Sequence, residues 1–64
     1  MKSISQKLIT LRGNKTQKEV AKNIGITASA LANYEAGIRV PRDEIKKKIA
    51  AYYKVSVEKI FFAD

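Results

Sequence analysis

The stretch Thr16–Glu35, TQKEVAKNIGITASALANYE, decides the fold. Val20, Ala21 and Ile24 fall on one face of a 3.6-residue repeat, and Leu31 and Tyr34 fall on one face of a second. Gly25 separates the two sets, where a chain leaving a helix most often needs a positive φ. Thr16 with Glu19 three residues on forms a capping box for the first set, and Thr27 is placed to cap the second. Two short amphipathic helices joined at a glycine have the layout of a helix-turn-helix.

Working outward, Ser3 opens an earlier helix, with Gln6 three residues later as its capping box. Ile4, Leu8 and Leu11 recur at helical spacing and should face the core, and Gly13-Asn14 stops this helix. On the other side, the Thr27 helix reaches Glu35 or Ala36 and ends at Gly37. Ile38-Arg39-Val40-Pro41 is too interrupted to be anything but a loop. Pro41 suits the entry to a fourth helix, with Asp43 and Glu44 favouring its positive N-terminal end. Ile45, Ile49, Tyr52 and Tyr53 mark its buried side. Lys22 and the run Lys46-Lys47-Lys48 read as solvated, because three successive helix positions fan over roughly 200°. Ser56 is placed to cap a short fifth helix from Val57 to about Phe61. With no strand, repeat, linker or low-complexity tract, the expectation is one all-α domain over residues 1–64, a compact five-helix bundle with its helix-turn-helix at 16–35.

Composition narrows the function. The 64 residues carry thirteen Lys+Arg against six Asp+Glu, a net charge of +7. Such an excess favours polyanions, either nucleic acid or an anionic membrane surface. No apolar run approaches the roughly 20 residues of a membrane span. The opening MKSISQKLIT lacks the apolar core of a signal peptide, so a cytoplasmic location is expected. Without cysteine or histidine, disulfides are excluded and the usual N/S zinc site nearly so. General acid–base and nucleophilic chemistry have few candidates, and an enzyme is not expected. Nothing points to a cofactor, a metal or a small-molecule ligand.

The basic chain and the helix-turn-helix together suggest a helix held in the major groove of double-stranded DNA. With Leu31 toward the core, Ser29 and Asn33 lie nearly opposite it, one turn apart. Ala32 lies beside them and Ala28 in the first turn. Ser29 and Asn33 taken alone would pass for ordinary solvated residues. No Lys, Arg or Glu stands between Thr27 and Asn33, however, and a small uncharged face on so charged a chain suits close approach to base pairs. Asn33 offers a donor and an acceptor together to adenine, Ser29 pairs with several base edges, and an alanine methyl meets a thymine methyl. Lys18, Thr27, Arg39 and Arg42 are candidate phosphate contacts. Gln17, at the first position of its helix, is placed for the same role.

The pattern resembles the Cro/repressor-type helix-turn-helix proteins of phages, plasmids and bacterial chromosomes. Ile4, Leu8, Leu11 and Arg12 are similar to the family's opening I-x-x-x-L-x-x-L-R. Thr16-Gln17, Val20-Ala21, Gly25, Leu31, Tyr34 and Glu35 follow in order. Glu35-Ala36-Gly37-Ile38-Arg39-Val40-Pro41 resembles its E-x-G-x-R-x-P, and Ile45, Ile49, Ala50, Val55-Ser56-Val57 and Ile60-Phe61 its closing helices. The resemblance covers nearly the whole chain and implies a lambda-repressor-like fold. It carries base contacts onto Ala28, Ser29 and Asn33, with Ala32 close by, and a DNA-backbone contact onto the Gln17 amide. It also implies a structural ion pair between Arg12 and Glu35, bridging the first helix and the end of the recognition helix. Function follows as a sequence-specific transcriptional regulator, a repressor acting as a homodimer on an inverted-repeat operator. Phe61 and Phe62 are the dimer-contact candidates. A core role is the default for Phe61, whereas Phe62 exceeds what one small core encloses. A dimer contact and the end of a domain cut from a longer chain both fit it. An antitoxin-like or coactivator-like protein-interaction module on the same fold is the alternative. The chain departs from the family at its three-residue connection Gly13-Asn14-Lys15, about two residues short. Lys15 and Asp43 also stand where apolar residues are usual.

Overall fold

The first three helices each start where a hydroxyl is available to cap them. In the computed structural model, which describes residues 3–62, Ser3 precedes α1 (Ile4–Arg12) and its hydroxyl accepts the Gln6 N–H at 3.2 Å. Thr16 precedes α2 (Gln17–Ile24) and accepts from Glu19 at 3.1 Å. Thr27 precedes α3 (Ala28–Glu35) and accepts from Ala30 at 3.0 Å. Each bond satisfies one of the N–H groups that a helix start leaves without an internal partner.

The turn between α2 and α3 is made by Gly25, at φ 96° and ψ 30°. Its N–H and that of Ile26 both donate to the Ala21 carbonyl at 2.9 Å, and the Ile26 side chain packs against the core. A left-handed residue that leads straight into an apolar side chain packed on the core fixes the angle at which α3 leaves α2.

Among the described residues two further helices follow, α4 (Asp43–Tyr53) and α5 (Glu58–Phe62), the latter a single π-helical turn. The Ser56 hydroxyl accepts from Lys59 N–H at 3.2 Å just ahead of it. α3 packs on both α1 and α2, α4 closes on α2, and α5 returns to α1. Leu8, Val20, Ala21, Ile24, Leu31, Ile49, Ala50, Ile60 and Phe61 form the buried core, with Ile4, Leu11, Tyr34, Ile45, Tyr52 and Tyr53 packed around it. All-α architecture follows from this set, since these core side chains lie on helices and no described residue lies in a strand.

Two expectations are corrected. Pro41 does not enter α4; it is buried two residues earlier, Arg42 takes the capping position, and the helix begins at Asp43. Asp43 and Glu44 then both sit in the first turn, where the helix dipole favours negative charge. Lys46 is not a solvated lysine: only 14% of its side chain is exposed. Its stem lies along the core while its ammonium stands over the rings of Phe61 and Phe62, at 5.5 and 4.8 Å. α4 also stops without a glycine, at Lys54, which adopts a left-handed φ of 59°.

Candidate nucleic-acid interface

The outer face of α3 is set by what its inner face must bury. Leu31 is fully enclosed and Glu35 nearly so, which turns Ala28 and Ser29 outward, exposed, and leaves Ala32 and Asn33 partly buried beside them. These four side chains form a small, uncharged strip along one side of the helix. Thr27, at its start, is exposed. The Thr27 hydroxyl accepts from Ala30 inside the cap and keeps its own O–H for an outside acceptor.

The segment after α3 folds back onto it. The Asn33 carbonyl accepts from the N–H groups of Ile38 at 3.0 Å and Arg39 at 3.3 Å. That pair of bonds seats Arg39 against the C-terminal end of the strip. Arg39 and Arg42, both exposed, share a hollow with Tyr34, Val40, Glu44 and Ile45. Tyr34 was legible only as a core residue; its place on the rim depends on the folded-back loop, for which the sequence carries no periodic signal. Ile38 and Val40 remain exposed on this loop.

Behind the strip lies a charged network. Arg12 Nε donates to Glu35 Oε2 at 2.8 Å, and Gln17 Nε2 donates to Glu35 Oε1 at 2.8 Å. Arg12 Nη1 also donates to the Lys15 carbonyl at 2.6 Å, so the short connection between α1 and α2 is tied down by the same guanidinium. The hydrogen bond to Glu35 raises the Arg12 pKa above its ordinary value, against the opposing effect of burial. Lys15 replaces an apolar contact by laying its ammonium over the Tyr52 ring at 5.4 Å.

The network puts Gln17 partly buried at the start of α2, with Lys18 exposed next to it. Gln17 and Lys18 belong to one helix start and Arg39 and Arg42 to the segment after α3. The uncharged strip belongs to α3 itself. Phe61 sits in the core of the monomer, whereas Phe62 is 65% exposed on the far end of the chain from this strip in sequence. Among the described residues no helix is long and apolar enough to cross a membrane.

Comparison with known proteins gives one clear match, a helix-turn-helix family model that covers residues 4–60. No curated protein and no solved structure matches the chain. The matched residues run from the first position of α1 into α5 and so include every element that positions the strip. The chain belongs to the Cro/C1-type helix-turn-helix family of DNA-binding regulators.

Proposed function

We propose that residues 1–64 act as one domain, a sequence-specific transcriptional repressor that binds double-stranded DNA as a homodimer in the cytoplasm. The observation that carries this reading is the uncharged strip of α3, formed by Ala28, Ser29, Ala32 and Asn33, on a chain of net charge +7. In the proposed complex α3 lies in the major groove and Asn33 pairs with an adenine edge. Gln17, Lys18, Thr27, Arg39 and Arg42 hold the phosphates to either side. Two-fold symmetry then calls for an inverted repeat whose half-sites are about one helical turn, ~34 Å, apart.

Selection of bound duplexes from a random pool tests the specificity and the symmetry together. On the selected site, Asn33→Ala should cost roughly 1–3 kcal/mol and relax preference at one base position. Full selectivity retained by that variant would remove Asn33 from base readout. Gln17→Ala should weaken binding to selected and unrelated duplexes about equally, as a backbone contact does.

Exposed Ile38 and Val40 beside α3 favour a second reading, the antitoxin-like or coactivator-like interaction module. Recovery of a protein partner that survives nuclease treatment, from a chain that retains no duplex even at low salt, would decide for it.

A further inference from the structure

Glu35 is an acidic residue only 6% exposed at the heart of a basic DNA-binding chain, and both of its carboxylate oxygens are committed. Oε2 takes Arg12 and Oε1 takes Gln17, each at 2.8 Å. The Arg12 bond alone suffices to neutralise a buried carboxylate. The Gln17 bond does something different: it joins the end of α3 to the first residue of α2, across eighteen positions in the chain.

A glutamine side chain carries a donor end and an acceptor end on one flat group, and in water it turns freely between them. A carboxylate accepts and cannot donate. Glu35 therefore selects the nitrogen end of the Gln17 amide and holds it. One N–H is directed into the protein, and the second N–H on the same nitrogen diverges from it, free to meet an acceptor outside. Arg12 matters to this arrangement in a second way, since its charge cancels that of Glu35 and removes the repulsion an incoming phosphate would otherwise meet.

We infer that Glu35 is a positioning residue for DNA-backbone binding: held neutral overall by Arg12, it fixes the Gln17 amide in the free protein with one N–H aimed at the site of a phosphate oxygen. This rests on the reading that Gln17 contacts the DNA backbone. The effect is pre-organisation. Ordering a rotamer-rich side chain at the moment of binding weakens affinity, and Glu35 has already done the ordering. The recognition helix and the backbone contact are thereby coupled, because the residue that ends α3 also sets the side chain that opens α2.

The test is a double-mutant cycle on the full chain, read as affinity for an arbitrary duplex at fixed salt by fluorescence anisotropy. Arg12→Met with Glu35→Met replaces the ion pair by apolar side chains of similar volume and leaves the net charge unchanged, a type of exchange that folded proteins often accept. The pair of substitutions should weaken binding roughly threefold to tenfold when Gln17 is present, the range for one side chain left to be ordered. In a Gln17→Ala background it should change affinity by less than about twofold. Equal losses in both backgrounds would show that the pair acts only through the fold and would overturn the proposal. So would a Gln17→Ala loss with no loss from the paired substitution. A Gln17→Ala variant of undiminished affinity would instead remove the phosphate reading beneath it, and the two failures are therefore distinct.

A measurement on the unsubstituted protein stands whether or not the variants fold. The Gln17 side-chain amide should show an order parameter close to that of the backbone in DNA-free protein, unlike an exposed glutamine such as Gln6. A Gln17 amide as mobile as that of Gln6 would overturn the proposal.

Discussion

Tyr53 shows how much one hydroxyl can say. Its oxygen is buried and has no hydrogen-bond partner among the described residues, an arrangement that folded proteins seldom leave standing. Burial pushes its pKa up to about 12, the charge of Glu35 and the neighbouring Tyr52 add to the rise, and Arg12 opposes it. The sign is that of an acid kept neutral by the fold. Below the unfolded value of 10.0 both states hold the proton and nothing is lost. Between pH 10 and about 12 the unfolded chain ionises first, and stability falls. Urea denaturation across that window should show a steeper decline for the unsubstituted chain than for Tyr53→Phe. At neutral pH the same variant should be at least as stable, by about 1 kcal/mol, because it removes a buried polar group without removing a bond. A marked loss of stability in Tyr53→Phe would mean that the hydroxyl is partnered after all.

At the scale of the element, the ends of α2 and α4 make a contrast. α2 ends on Gly25, to which a left-handed φ of 96° comes at little steric penalty. α4 ends on Lys54 in the same region, at φ 59° and ψ 41°, where a side chain crowds its own carbonyl. The Lys54 N–H nevertheless donates to Ala51, and that of Val55 to the Ala50 carbonyl at 3.1 Å, so the motif is the usual left-handed one without the usual residue. Lys54→Gly should therefore raise the melting temperature, by the equivalent of about 1 kcal/mol, with the relief of strain outweighing the extra freedom of glycine in the unfolded chain. An unchanged or lower melting temperature would mean that Lys54 holds its conformation without strain. The sequence marked the α2 stop plainly and left the α4 stop unmarked, since Lys54 is an ordinary residue in an extraordinary conformation.

For the molecule as a whole, the proposed homodimer needs a surface on which two copies can meet. Phe61 is spoken for by the monomer's core, and exposed Phe62 lies under the Lys46 ammonium in a groove that Asp43, Lys47 and Val57 complete. If Phe62 serves the proposed homodimer, Phe62→Ala should lower self-association in sedimentation experiments at micromolar concentration. It should also weaken binding to an inverted repeat much more than to a single half-site. Identical sedimentation and identical half-site preference in the variant would place the dimer contact elsewhere. Because Lys18, Arg39 and Arg42 meet phosphates in the proposed complex, affinity for either duplex should also fall steeply with salt, and a flat dependence would contradict the phosphate assignments.

How much of this was legible depends on the range of the forces involved. Thr16, Thr27, Gly25 and the spacing of Val20, Ala21, Ile24 and Leu31 specify α2, the turn and α3 through bonds and side-chain periods that span four residues or fewer, so the sequence alone determined the helix-turn-helix and the outward face of Ala28, Ser29 and Asn33. The pairing of Gln17 with Glu35, the folding of Arg39 onto the Asn33 carbonyl, the cover of Lys46 over Phe61 and the late start of α4 at Asp43 were decided only by the tertiary structure. Each depends on the angle and distance at which separate helices pack, and those are fixed by the joint filling of one core rather than by any local run of residues.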